Sequence, residues 1–117
     1  MKEIIIYHNP RCSKSRQTLQ LLRDNGVEPK IIEYLKTPLK KDELKNITNM
    51  LGLQPKEFIR KNENDFKENK LGEIIDDNEK IIEAMVFYPK IIEIPIVTAG
   101  EVAVIGRPPE NVLEVLK

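Results

Sequence analysis

The sequence contains a single cysteine, no excess of charge of either sign and no long apolar run. One thiol in 117 residues excludes an internal disulfide, which favours a reducing, cytoplasmic compartment. Lys plus Arg and Asp plus Glu balance at 19 each, so no overall field favours nucleic acid or an anionic membrane. No apolar run approaches the ~20 residues of a membrane span. We therefore expect no direct nucleic-acid or membrane partner, and a single domain over residues 1–117.

Hydrophobic patterns predict a βαβ unit at the start of the chain. Residues 3–7 (EIIIY) and 29–34 (PKIIEY) are short runs rich in β-branched residues, which is typical of buried strands. Residues 13–26 between them predict a helix that ends at Asn25-Gly26. Strands connected in this way are expected to be parallel, with a right-handed crossover. The residues predicted to lie on the buried face of this helix are Ser15, Thr18, Leu19 and Leu22.

Helical patterns follow in a middle segment of about residues 37–90. Residues 40–51 and 77–88 are predicted helices, and Pro55 begins a shorter one. Residues 66–76 are polar and show no clear pattern. The predicted caps and ends are Gly52, Asp77 and Pro89, and the predicted inward-facing residues are Leu44, Ile47, Leu51, Ile81, Ile82 and Met85.

Strand character returns near the end of the chain. IPIVT and EVAVI flank Ala99-Gly100, which predicts an antiparallel hairpin. The last segment, RPPENVLEVLK, predicts a helix with Pro109 in its first turn and with Val112, Leu113 and Leu116 facing inward. The resulting order is βαβ, several helices, then ββα. This α/β order matches a thioredoxin-like plan with an enlarged helical middle.

The segment HNPRCSKSR places the one thiol, Cys12, between a predicted strand and a predicted helix. The free N–H groups and dipole of a helix N-terminus favour a negatively charged thiolate, and so do nearby cations, here Arg11, Lys14 and Arg16. The alternative is a buried inert cysteine. We favour a reactive thiol because the flanking residues are polar and charged.

Residue spacing around Cys12 narrows the chemistry. Ser15, one helical turn further on, can donate a hydrogen bond to the sulfur. A phosphatase-type Cys-x5-Arg loop is excluded by Thr18, and a Cys-x-x-Cys dithiol by the single cysteine. A modified Cys12 must therefore be resolved by an external thiol. His8 either influences the thiol or simply ends the first strand, and both interpretations stay open.

Several motifs together resemble the glutaredoxin-coupled arsenate reductase family. They are YHNPRCSKSRQTLQLLRDNGVEP, IIEYLKTP, RKNE, PIV and GRPPENVLEVL, and they extend from Ile4 to Leu116. The resemblance implies a thioredoxin-like fold with a helical insertion between the second and third strands. It also implies a cis peptide bond before Pro95, beside the active cysteine.

The resemblance further implies a mechanism and its site residues. Cys12 matches the family nucleophile, which attacks arsenate, while Arg60 and Arg107 match oxyanion-binding arginines. Glutathione would act as co-substrate and glutaredoxin as the reducing partner, with no bound cofactor, no metal and a monomeric enzyme. Guanidinium groups suit tetrahedral oxyanions because they form two parallel hydrogen bonds. The supporting candidates are His8, Arg11, Ser15, Arg16 and Pro95.

One position departs from the family pattern. The family usually has RPIV with an oxyanion-binding arginine, whereas this chain has Ile94 before Pro95. An apolar side chain supplies neither charge nor hydrogen bonds. We therefore expect either that the protein reduces arsenate weakly or that it acts on a different substrate. Two alternatives follow: a monothiol glutaredoxin-like transferase, favoured by Cys-x-x-Ser, and an RNA polymerase-binding regulator resembling the Spx group.

Overall fold

The computed structural model describes residues 3–117, which form two compact units. The first comprises the chain up to Thr37 together with Ile94–Lys117, and the second is Pro38–Glu93. The single domain over the whole chain stays a prediction. Within residues 3–117, no helix is both long and apolar enough to cross a membrane.

The first unit is built on a four-stranded sheet. Its strands are β1 (Ile4–Tyr7), β2 (Lys30–Ile32), β3 (Ile96–Ala99) and β4 (Val102–Ile105), arranged in the order β2–β1–β3–β4. β1 pairs with β2 in parallel and with β3 antiparallel, and β3 pairs antiparallel with β4. The parallel βαβ unit and the hairpin are therefore confirmed.

Helices cover one face of this sheet. α1 (Ser13–Asp24) buries Ser15, Thr18, Leu19 and Leu22, which are the four residues predicted from helical spacing. A C-terminal 3₁₀ helix (Pro109–Leu116) packs against the same core. The buried core of this face consists of Ile6, Leu19, Leu22, Val97, Ala99, Val112 and Val115.

The C-terminal helix differs from the prediction in its pitch. A 3₁₀ helix has three residues per turn, so side chains three apart lie on one face. The buried residues are accordingly Pro109, Val112 and Val115. Leu113 and Leu116, predicted to face inward from an α-helical period, are half-buried, and of the two Leu116 packs against this core.

The second unit is helical. Its α-helices are α2 (Lys41–Leu51), α3 (Asn64–Glu68) and α4 (Asn78–Phe87), and its 3₁₀ helices are Pro55–Phe58, Leu71–Ile74 and Pro89–Ile91. The left-handed φ of 68° at Gly52 ends α2, and the Asp77 carboxylate accepts a hydrogen bond from the Lys80 N–H at the start of α4. Both predicted long helices are confirmed. Thr48 rather than Leu51 completes the buried face of α2, and residues 66–76 contain the end of α3 and the whole 3₁₀ helix Leu71–Ile74.

The sheet, its flanking helices and the helical segment between β2 and β3 form the expected thioredoxin-like α/β fold. Two X-Pro peptide bonds are cis, Ile94–Pro95 and Arg107–Pro108. The first confirms what the family resemblance implied, and the second was not anticipated from the sequence.

Candidate active site

A tight turn carries the chain from β1 to the cysteine. The His8 N–H donates to the Ile32 carbonyl at 2.8 Å, which extends the parallel pairing by one residue beyond β1. The Cys12 N–H then donates to the Asn9 carbonyl at 3.0 Å, and the Asn9 side-chain oxygen accepts from the Arg11 N–H at 3.0 Å. Proline at the second turn position and asparagine at the first suit this geometry. The turn sets Cys12 directly before α1.

Cys12 is the N-cap residue of α1. Its backbone is extended (φ −94°, ψ 123°), its carbonyl accepts from the Arg16 N–H at 3.0 Å, and its side chain makes no capping hydrogen bond. Cys12 is partly exposed, as a residue that meets an outside reactant needs to be. The unpaired N–H groups and dipole of a twelve-residue helix favour negative charge at this end. The predicted placement of the thiol at a helix N-terminus is therefore confirmed.

Arg107 lies against the cysteine. Its Nη2 donates to the Cys12 sulfur at 3.6 Å, and its Nε donates to the Ile94 carbonyl at 2.7 Å. The backbone carbonyl and the sulfur together hold the guanidinium in one orientation. A cation in this place stabilises a thiolate, and a guanidinium is a suitable hydrogen-bond donor to an oxyanion.

His8 and Ser15 support the turn from beneath. Both side chains are buried, and the Ser15 hydroxyl is hydrogen-bonded to Nδ1 of His8 and accepts from the Asn9 N–H at 3.1 Å. The Ser15 hydroxyl therefore bonds to His8 and Asn9. The predicted hydrogen bond from Ser15 to the Cys12 sulfur does not form, because Ser15 lies on the inward face of α1. Burial lowers the pKa of His8, and the Arg23 and Arg16 charges lower it further against the opposing effect of Glu33. A neutral imidazole follows.

The other predicted cations have different surroundings. Arg16 donates from Nη1 to the Pro10 carbonyl at 2.9 Å and so braces the turn, while Arg11 is exposed on it. Arg60 belongs to the second unit. Its guanidinium forms an ion pair with Glu63 at 3.4 Å, and its N–H donates to the Ile91 carbonyl at 2.7 Å. Its role at an oxyanion stays a prediction.

Ile94 and Pro95 lie where the resemblance placed them, next to Arg107. The Ile94 side chain is 1% exposed, and only its backbone carbonyl contributes to the site, through Arg107. The Pro95 carbonyl accepts from the Gly106 N–H at 2.9 Å. The unit therefore brings Cys12, Arg107 and the Ile94–Pro95 segment together.

A cavity of about 280 Å³ adjoins the turn on the side of β2. Arg11 and Lys36 provide positive charge there, and Glu33 provides negative charge and pairs with Lys36 at 3.3 Å. A small zwitterionic or anionic molecule suits this lining. The remaining lining residues are His8, Asn9, Pro10 and Leu35.

Sequence reasoning assigned no supporting role to four residues of this site. Asn9 orders the turn, and Asn-Pro is a turn signal that could have identified it. Asn111 donates from its side chain to the Arg107 carbonyl at 3.0 Å. Thr18 and Gly106 approach each other closely, and the Thr18 hydroxyl lies 3.4 Å from the Gly106 carbonyl. No local signal in the sequence connects residues 88 positions apart.

Comparison with known proteins identifies relatives along nearly the whole chain. The ArsC family model matches residues 7–115. The chain is 48% identical to uncharacterized protein YfgD of Escherichia coli strain K12 over 116 residues, which is 98% of each chain. It is 43% identical to an arsenate reductase of Neisseria meningitidis, covering 99% of this chain and 100% of the relative. The solved structure of an arsenate reductase from Vibrio cholerae superposes with a TM-score of 0.93 at 43% identity, covering 97% and 98% of the two chains.

Proposed function

Because the chain belongs to the ArsC family, we propose that it is a cysteine-dependent oxidoreductase that reduces arsenate to arsenite. The observation that carries this proposal is the Arg107 guanidinium held 3.6 Å from the Cys12 sulfur. A cation at this distance stabilises the attacking thiolate and can bind an oxygen of a tetrahedral oxyanion beside it. The names of the Neisseria and Vibrio relatives support arsenate as that oxyanion.

The single cysteine determines where the electrons come from. Reduction of As(V) to As(III) takes two electrons, which two thiols supply when they join in one disulfide. Cys12 displaces one arsenate oxygen as water, and the thiol of glutathione displaces a second. A glutaredoxin thiolate then attacks the glutathione sulfur. The bond between arsenic and that sulfur breaks, and its electron pair stays on arsenic, which is thereby reduced to As(III). A mixed glutathione–glutaredoxin disulfide leaves, and water releases arsenite from Cys12.

This chain's residues act at the first two of these steps. Arg107 orients the oxyanion and offsets the negative charge that builds up as the thiolate attacks. Arg60 is the second proposed oxyanion ligand. The charges of the cavity beside the turn, Arg11 and Lys36 against Glu33, suit the two carboxylates and the ammonium group of glutathione.

The coupled assay on the whole chain tests this proposal. Arsenite release should require arsenate, glutathione and glutaredoxin together, and Cys12→Ser should reduce it to the background rate because no other thiol exists in the chain. Gln17→Ala, an exposed change in the same helix, is the matched control and should keep wild-type turnover. Sustained turnover with thioredoxin and no glutathione would reject the glutaredoxin-coupled route.

A second candidate function rests on Ile94. Its buried apolar side chain removes the charge that the family resemblance led us to expect beside the oxyanion. The same Cys12 thiolate can instead attack the glutathione sulfur of a mixed disulfide and expel the other thiol, as in a monothiol transferase, after which a second glutathione regenerates Cys12 and leaves as glutathione disulfide. Faster release of glutathione from a glutathionylated peptide than of arsenite from arsenate, at equal enzyme, would favour this function.

A further inference from the structure

The position of Arg107 depends on the residue before it. The Gly106 N–H donates to the Pro95 carbonyl at 2.9 Å, and the Arg107 N–H donates to the Ile105 carbonyl at 2.9 Å. These two bonds hold the backbone of residues 106 and 107 to the segment that contains Pro95 and to the end of β4. On the side of α1, Gly106 lies against Thr18.

Space, rather than an unusual backbone angle, requires glycine at position 106. A Cβ there would lie 2.5 Å from Oγ1 and 3.0 Å from Cγ2 of Thr18, and 2.9 Å from Cγ of Pro95. Gly106 is not one of the glycines with positive φ, which are Gly26, Gly52 and Gly100. Any side chain at this position would therefore push the segment away from α1 and Pro95.

Thr18 cannot easily yield to a side chain at position 106. It is fully buried, and its hydroxyl donates to the Lys14 carbonyl at 2.8 Å within α1. Rotation of the side chain would break that bond inside a packed core, where a side chain out of its rotamer is costly. The contact between α1 and Gly106 is therefore stiff on both sides.

We propose that Gly106 and Thr18 are positioning residues for the reaction at Cys12: their close contact sets the distance at which the Arg107 guanidinium meets the sulfur. α1 carries Cys12 at its N-terminus and Thr18 six residues later, so one rigid helix presents both the thiol and the surface on which the Arg107 segment rests. This inference rests on the proposed role of Arg107 as the cation of the site. It adds that the spacing between cation and thiol is set by packing on α1.

The test measures the charge beside the sulfur and needs no arsenate. Iodoacetate and iodoacetamide both alkylate a thiolate by forming a C–S bond and expelling iodide, but only iodoacetate is an anion. The ratio of their rate constants at Cys12 therefore reports the cation near the sulfur, and general loosening of the fold moves both rates together. Arg107→Ala should lower this ratio by about fivefold or more, since a unit charge a few ångströms away acts on the anion alone.

Substitutions at the contact should reproduce this loss in a defined order. Gly106→Ala should lower the ratio at least about threefold, approaching Arg107→Ala. Thr18→Ala, which removes the atoms that Gly106 packs against, should lower it about twofold to threefold. In the double variant the new methyl group fills the space vacated by Thr18 while its contact with Pro95 remains, so the ratio should recover in part, to a value between those of Gly106→Ala and wild type. Thr98→Ala, a buried threonine of β3, is the matched control and should leave the ratio unchanged.

Wild-type ratios in folded Gly106→Ala or in Thr18→Ala would overturn the proposal. If Gly106→Ala fails to fold, Thr18→Ala still decides, because it only removes atoms. A double variant no better than Gly106→Ala would also contradict the packing argument. Because arsenate takes no part, a chain that does not reduce arsenate but shows the predicted order would reject the proposed function and retain this inference.

Discussion

The two arginines predicted to bind an oxyanion, Arg107 and Arg60, are held in different ways. Arg107 is fixed by the Ile94 carbonyl and the Cys12 sulfur, with Asn111 holding its backbone carbonyl. Arg60 is part-exposed and pairs with a carboxylate three residues away, Glu63. The Arg107 guanidinium is oriented directly at the sulfur of the proposed nucleophile, whereas the Arg60 guanidinium is held by a carboxylate with which a bound anion must compete. Two identical side chains with the same predicted role thus differ in the contacts that hold them before an oxyanion binds.

The units around these arginines differ in the same way. Among the described residues, the first unit contains the buried polar side chains His8, Ser15, Thr18 and Thr98, and the second contains Thr48. Exposed ion pairs instead link α2 to α4: Lys45 and Lys41 both contact Glu79 and lower its pKa to about 2. Buried hydrogen bonds specify geometry, while exposed pairs are screened by salt and contribute little. The buried hydrogen bonds that can fix side-chain positions around a thiolate are thus found mainly in the first unit.

Of the substitutions that test this comparison, removal of Arg107 should have the largest effect on activity. Arg107→Ala should lower kcat/KM for arsenate about 10- to 150-fold, since a charge-assisted hydrogen bond to an oxyanion is worth roughly 1.5–3 kcal/mol. Arg107→Lys, which keeps the charge but not the fork, should recover only part of this loss. Initial rates of arsenite release measure it. A folded Arg107→Ala variant with wild-type kinetics would remove the basis of the proposed site.

Adding an arginine at position 94 sharpens the comparison. Ile94→Arg should raise kcat/KM for arsenate by about tenfold, through one further charge-assisted hydrogen bond. Because Ile94 is 1% exposed and adjoins Arg107, the new charge should lower the melting temperature without an anion. Added arsenate should then raise the melting temperature of the variant more than that of wild type. Ile94→Met is the neutral control, and unchanged arsenate kinetics in folded Ile94→Arg would show that this position does not limit the reaction.

Arg60→Ala should have a smaller effect, raising KM for arsenate about 3- to 10-fold with little change in kcat. The lost bond to the anion is partly offset because wild type must first break the Arg60–Glu63 pair, and an exposed pair is worth about 1 kcal/mol or less. Glu63→Gln frees the guanidinium and should lower KM by up to about fivefold. Both values come from the same initial-rate series. If neither substitution moves KM, Arg60 lies outside the reactive centre.

The smallest expected effect is a pH dependence of stability that arises at His8. Its pKa is lowered in the folded protein, mainly by burial, from 6.5, so the unfolded chain binds the proton first as the pH falls. The free energy of unfolding should therefore decline as the pH drops below about 6.5, and the decline should stop below the folded pKa. Urea unfolding between pH 5 and pH 7.5 measures this slope. His8→Gln keeps a partner for Ser15 and should flatten the slope, whereas equal slopes would assign it to other groups.

Local patterns in the sequence predicted much of the fold. The spacing of Ser15, Thr18, Leu19 and Leu22 identified the buried face of α1, and β-branched runs located all four strands. The buried residues of the C-terminal helix were predicted less well. In the same apolar run, a 3₁₀ pitch and an α-helical pitch place different residues on the inward face. Helical pitch in a short terminal segment depends on what the segment packs against, which no local pattern records.

The sequence by itself determined that Cys12 is the only thiol, that a helix begins directly after it, and that any covalent adduct needs an outside thiol for its release. These conclusions follow from counting, from spacing and from the chemistry of a helix N-terminus. Only the tertiary structure decided that Ser15 bonds to His8 and that Arg107 meets the sulfur, 95 residues away along the chain. Both contacts depend on how the segments pack against one another in three dimensions, and residue spacing along the chain does not encode that packing.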